Sequence, residues 1–171
     1  MEDEEVIKFI AGVQTHRYRL VFLIALFTGM RQGEVLGLSW DSVDWNNHIL
    51  TIRQQLQVDR ATRKYVIDSP KHGKRRSIMV APAVMELFKE QLEMQNKQKA
   101  CSATWNNEWN LVFTKDDGSN LSVTSVGNSY KRLVRKLDCK DRRFHDLRHP
   151  YVKHTTKNIS CKSRNPKLPK Y

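Results

Sequence analysis

The residues best suited to chemistry are cations in three places along the chain. Near its end stands Phe144-His145-Asp146-Leu147-Arg148-His149. His145 and Arg148, three residues apart, share one face if the segment is helical. Arg148 could then clamp two oxygens of a phosphate through its planar fork, and His145 could donate a further hydrogen bond. A solvated helix also tolerates that spacing. A second cation, Arg31, follows an apolar stretch and has Glu34 three residues on. A charge beside a buried helix is costly unless it is paired or used. Arg31 therefore has two readings: an ion pair with Glu34, or an anion site on a rigid support. The third group, Lys71, Lys74, Arg75 and Arg76, fills one connection without a carboxylate among them. A cluster lacking counter-charge suits contact with phosphate better than it suits a solvated face.

The elements that must hold these groups can be traced in order. Asp3 is placed to cap a first helix whose Val6, Phe9, Ile10 and Val13 recur at helical spacing. Tyr18 to Phe27 is apolar all round, which predicts a helix in the middle of the domain. Gly29 is its left-handed stop. Arg31 to Leu36 starts a short helix. Residues 48–53, 64–68 and 77–80 are rich in β-formers and predict a small three-stranded antiparallel sheet. Pro82 opens a long helix with Val84, Leu87, Phe88, Gln91 and Leu92 inward. Gln95 to Asn107 is polar and reads as a loop. Leu111 to Phe113 is a short buried piece before a turn at Asp116-Asp117-Gly118. Ser122 caps a further helix with Val123, Val126, Tyr130, Leu133, Val134 and Leu137 on one side.

Composition narrows the partner. The chain has 171 residues, 30 Lys and Arg against 18 Asp and Glu, and a formal net charge of +12. This favours a polyanion, above all nucleic acid, over a merely soluble basic protein. Cys101, Cys139 and Cys161 are widely spaced, which argues against a disulfide framework or a zinc site and fits a reducing cytoplasm. The acidic start lacks the pattern of a signal peptide. The longest apolar run, Leu20 to Phe27, is too short to span a bilayer.

Taken together, three segments carry a family. Thr28-Gly29-Met30-Arg31-Gln32-Gly33-Glu34-Val35-Leu36-Gly37-Leu38-Ser39-Trp40 resembles the first arginine motif of the tyrosine recombinases, the phage and conjugative-transposon integrases. Phe144-His145-Asp146-Leu147-Arg148-His149 resembles their second motif, HxxR. Pro70-Lys71-His72-Gly73-Lys74-Arg75-Arg76-Ser77-Ile78 is similar to the β-hairpin that carries the family's lysine. Integrases of Gram-positive conjugative transposons and phages are the most similar group.

The resemblance implies an α+β, mainly α catalytic domain with the small three-stranded sheet, over residues 1–151. It implies site-specific DNA recombination through a 3′-phosphotyrosine, with double-stranded DNA as partner and tetramers of the full-length protein on it. Arg31 and Arg148, assisted by His145, would stabilise charge on the non-bridging oxygens. Lys71 would protonate the leaving oxygen. Glu34 would orient Arg31, and His149 would add a phosphate contact or serve structurally. Lys74, Arg75, Arg76, Arg142 and Arg143 would contact DNA. No metal or other cofactor is implied.

The sequence departs from the family after HxxR. The expected Gly-His or Gly-Trp motif and nucleophilic tyrosine are not recognisable. Tyr151 matches a non-catalytic aromatic, and Tyr171 lacks the preceding motif. Pro150 falls where the family is helical. Residues 152–171 are basic, without Asp or Glu, and read as a disordered tail unrelated to the family, as a shifted frame would give. A DNA-clamp domain ahead of the catalytic domain is likewise missing. The expectation is a DNA-binding fragment truncated at both ends and lacking its nucleophile. The alternatives are a non-enzymatic DNA-binding module and a metal-free phosphodiesterase using Lys71 and His145.

Overall fold

The computed structural model describes residues 3–70, 75–139 and 144–147. Its centre is α2 (Arg19–Thr28), whose Leu20, Val21, Phe22, Leu23, Ile24, Ala25 and Leu26 are all buried. A helix apolar on every side needs neighbours on every side. α1 (Asp3–Val13), α3 (Gln32–Leu36) and α4 (Pro82–Cys101) pack on it, and α5 (Val123–Lys136) joins α1 and α3. Ser122 caps α5 by accepting the Ser125 backbone N–H at 3.2 Å.

An aromatic cluster joins α1, α2 and α5 to the segment that follows α5. Phe9, Phe22, Tyr130 and Phe144 meet with ring centroids 5.4 to 6.4 Å apart, mostly tilted or edge-on. These are favoured geometries for rings with opposed quadrupoles. The cluster holds a 3₁₀ turn, Phe144–Leu147, against α5. Phe144 and Leu147 are both buried, as the threefold period of such a turn requires for positions three apart.

The strands form two small sheets rather than one. β1 (Val43–Asp44), β2 (Ile49–Ile52) and β5 (Arg76–Met79) make a three-stranded antiparallel sheet in the order β1-β2-β5. β3 (Gln55–Val58) and β4 (Tyr65–Asp68) make a separate antiparallel pair. The three-stranded sheet therefore exists with different membership: residues 65–68 leave it and β1 enters. The expected reading overlooked β3, whose Gln-Leu-Gln-Val alternation buries only Leu56. Two residues, Arg53 and Gln54, separate β2 from β3, while seven, 69–75, separate β4 from β5. The returning chain thus carries five residues more than the outgoing chain between the same two ladders.

α4 corrects a second expectation, since it runs on to Cys101 through residues that read as loop. Gln95 continues the buried face of Val84, Phe88 and Gln91. That face is polar because it meets backbone. Gln91 donates to the Val112 carbonyl at 3.0 Å, and Gln95 to the Leu111 carbonyl at 3.0 Å, while Gln95 accepts from Trp40 Nε1 at 2.7 Å. Leu87 and Leu92, expected inward, are half-buried.

Candidate phosphate-activating site

The site starts where α2 stops. Gly29 sits in the left-handed region at φ 64° and its N–H closes the helix on the Ala25 carbonyl at 3.0 Å. A side chain there would strain the backbone. Two residues later Arg31 is extended, at φ −71° and ψ 154°, and forms the N-cap of α3. Glu34, in the first turn of α3, folds back so that Oε2 accepts the Arg31 backbone N–H at 2.8 Å. This is the returning half of a capping box, with a carboxylate at the favourable end of the helix dipole.

The same carboxylate binds two guanidinium groups. Arg31 Nη1 donates to Oε1 at 3.0 Å. Arg76, the first residue of β5, donates from Nη1 to Oε1 at 2.8 Å and from Nη2 to Oε2 at 2.6 Å. An ionised carboxylate offers about four acceptor positions, and here all are taken. Glu34 is 0% exposed, whereas the side chains of Arg31 and Arg76 are 35% and 32% exposed. Burial alone would push the Glu34 pKa up. The Arg76 hydrogen bonds, the Arg31 N–H and the charge of Arg76 outweigh it and hold the carboxyl below its ordinary range. Hydrogen bonding to Glu34 raises the Arg76 pKa in turn.

The two readings of Arg31 are thus compatible. One edge of its guanidinium pairs with Glu34, and the side chain still reaches solvent. Two close contacts fix the turn it stands on. Gln54 Nε2 donates to the Gly37 carbonyl at 2.8 Å, and an added Cβ on Gly37 would come within 2.5 Å of the Leu56 backbone N. α3 is therefore seated directly on β3, and only glycine permits that distance. On the other side, Gln32 Nε2 donates to the Val123 carbonyl at 2.6 Å and links α3 to the start of α5.

Arg76 has a partner that the sequence does not disclose. Expected as a DNA contact in a cluster without counter-charge, it has its counter-charge in Glu34, 42 residues earlier. No local pattern could reveal a partner at that separation. Arg75, next to it, is exposed. The 3₁₀ turn sets the backbone of His145 between two buried anchors, Phe144 and Leu147. Lys71, Lys74, Arg142, Arg143, Arg148, His149, Tyr151 and Tyr171, and the side chain of His145, lie outside the described residues.

Among the described residues, no group of three His, Cys, Asp or Glu side chains is placed to hold a metal ion, and no helix is long and apolar enough to cross a membrane. A cavity of about 590 Å³ lies between the start of α2, α4 and residues 113–121, with the Arg19–Glu90 ion pair in its wall. Arg31, Arg75 and Arg76 do not line it.

Comparison with known proteins places this geometry. The family described as "Phage integrase family" matches residues 1–158. A tyrosine recombinase XerC-like protein of Caldanaerobacter subterraneus subsp. tengcongensis is 29% identical over 161 residues, covering 88% of this chain and 41% of the relative. The putative defective protein IntQ of Escherichia coli K12 is 21% identical, covering 87% and 40%. This chain therefore spans about two fifths of the length of those relatives. Among solved structures, the Tn1549 transposon integrase in complex with a circular intermediate DNA superposes with a TM-score of 0.76 at 20% identity, covering 95% of this chain and 54% of that one. The lambda integrase catalytic core gives 0.62 at 16% identity, covering 92% and 86%. At these identities the structural likeness establishes a shared fold.

Proposed function

The chain belongs to the phage integrase family and has the fold of its tyrosine recombinase catalytic domains, and from that membership we propose that it binds double-stranded DNA and presents a cation set that activates a phosphodiester. The reaction served is site-specific recombination, in which a tyrosine hydroxyl attacks phosphorus, the 5′ oxygen leaves, and the 3′-phosphotyrosine conserves the bond for rejoining. Arg31 and Arg148, with His145, meet the charge that develops on the non-bridging oxygens. Lys71 gives its proton to the leaving oxygen. The observation that carries this reading is Arg31: a partly exposed guanidinium held on a capped turn by a fully buried carboxylate. Preorganised donors of this kind stabilise a transition state without reorganising during the reaction. The XerC-like relative and the DNA-bound Tn1549 integrase support the substrate class.

In the finer reading this chain binds DNA without cleaving it. None of its tyrosines stands in the sequence context that the family gives its nucleophile. Tyr18 and Tyr130 are core residues and Tyr65 is paired within β4. Residues 1–151 are the catalytic domain in this proposal and 152–171 a separate basic tail; action in the cytoplasm, on DNA bound by four copies, follows from the same reading. The test is incubation with nicked suicide DNA carrying the cognate crossover site, followed by a denaturing gel. The expected result is a gel shift under native conditions and no covalent adduct. An adduct that disappears in Tyr171→Phe would overturn the finer reading, and absence of any DNA binding would overturn the coarser one.

A further inference from the structure

We infer that Arg76 is a positioning residue: by gripping Glu34 in a two-pronged pair it fixes the guanidinium of Arg31 and ties that group to the strand leaving the lysine-bearing connection. The inference deepens the proposed function and rests on it for its catalytic meaning. Its geometric basis is independent. Among the described residues the Arg31 guanidinium has one polar partner, a single hydrogen bond of 3.0 Å to Glu34 Oε1. One such bond leaves the plane of the guanidinium free to swing about the contact. What it swings against is the carboxylate, and the carboxylate is locked by Arg76 through two parallel hydrogen bonds, 2.8 and 2.6 Å. Fork-to-fork pairs specify orientation as well as distance. Among the described residues, the other hold on that carboxylate is the Arg31 backbone N–H at 2.8 Å.

The location of Arg76 gives the arrangement its use. It pairs with Ile52 at the open end of the β2–β5 ladder, the first residue after the longer connection between β4 and β5. That connection, 69–75, holds Lys71. One buried carboxylate thus serves as common anchor for the turn bearing Arg31 and for the strand emerging from the connection. Lysine could not replace Arg76 here, because an ammonium is a point charge and cannot occupy both oxygens in the plane of the carboxylate. Arg76 accordingly acts on the substrate through Glu34 and Arg31, whereas the exposed Arg75 beside it is the residue free to meet phosphate.

The test uses the full chain with Arg76→Lys and Arg76→Gln. Arg76→Lys keeps a cation beside the buried carboxylate and so protects the fold if the glutamine variant unfolds. ¹⁵N relaxation of the Arg31 side-chain Nε–H is the primary readout. Expected is an ordered Arg31 Nε in the wild type and a disordered one in Arg76→Lys, with backbone amide shifts of α2 and α5 unchanged. An Arg31 side chain equally ordered in wild type and variant would overturn the inference. A purely structural role for Arg76 would move the amide shifts and spare the side-chain order. The second readout is affinity for a fluorescein-labelled mixed-sequence duplex. Arg76→Gln should weaken binding about tenfold in the wild-type background, the scale of one charge-assisted hydrogen bond. It should weaken binding less than about twofold when Arg31 is already Ala, since coupled residues are non-additive. Equal losses in both backgrounds would mean direct phosphate contact and would overturn the inference. A wild-type chain that binds no DNA would refute the proposed function, and the relaxation measurement would still decide whether Arg76 positions Arg31.

Discussion

Glu34 carries the largest electrostatic stake of any single described residue, because it is a carboxylate with no exposure and two cations. Removing Glu34 takes away four charge-assisted hydrogen bonds and leaves two guanidinium groups that still reach water. Glu34→Ala should therefore lower stability by about 2 kcal/mol in urea unfolding at neutral pH, the scale of a hydrogen bond to a charged group. Glu34→Gln should recover part of this, since its single amide oxygen can still accept one of the two Arg31 hydrogen bonds while its NH2 group can accept neither and the charge is lost. The folded carboxyl titrates below its unfolded value, so its contribution is fully present above the unfolded pKa and disappears as pH falls through the folded one. The stability gap between wild type and Glu34→Gln should thus be widest at neutral pH and close on acidification below the ordinary carboxylate range. A gap independent of pH would show that Glu34 is not ionised in the folded protein.

At the scale of elements, the Arg31 turn is positioned by contacts between backbones. α3 has only five residues and cannot hold itself together; isolated helices of that length do not persist in water. Its stability comes from α2 beneath it, β3 beside it and the Gln32 link to α5. Gly37, the residue after α3, lies against β3, and a methyl group there would overlap the backbone of Gln55 and Leu56. Gly37→Ala should cost about 3 kcal/mol, at the upper end of overpacking penalties, because backbone cannot move aside as a flexible side chain can. The measurement is a urea melt, with Gly12→Ala as a contrast: the atoms nearest an added methyl there belong to the flexible side chain of Leu137. A Gly37→Ala variant as stable as wild type would mean that α3 and β3 can separate without loss.

For the molecule as a whole, a formal charge of +12 acts at longer range than any one contact. Binding to duplex DNA should fall steeply with salt, log affinity declining linearly with log salt concentration as counter-ions are released. Arg75, exposed beside the anchored Arg76, should contribute one phosphate contact, so Arg75→Ala should reduce the slope by about 1. An unchanged slope in Arg75→Ala would remove that residue from the interface. Beneath the charged surface, the Phe9–Phe22–Tyr130–Phe144 cluster joins α1, α2, α5 and the turn bearing His145 into one core. The backbone at both ends of the candidate site, Arg31 after α2 and His145 after α5, is thereby referred to the same packed centre.

The sequence by itself determined what depends on neighbours along the chain. The burial of α2, the left-handed stop at Gly29, the Ser122 cap and the proline start of α4 all rest on spacings of a few residues, which helical periodicity and turn stereochemistry make legible. The ordered motifs likewise sufficed for the family. Only the tertiary structure decided the questions that cross the chain. It assigned β4 to β3 instead of the larger sheet, because register is a choice among strands of similar composition. It extended α4 past Met94, because the polar face of Gln91 and Gln95 is matched to carbonyls of residues 111 and 112. And it turned Arg76 from a surface cation into the partner of a buried carboxylate 42 residues away, since a charge is neutralised by what is near it in space, which spacing along the chain does not record.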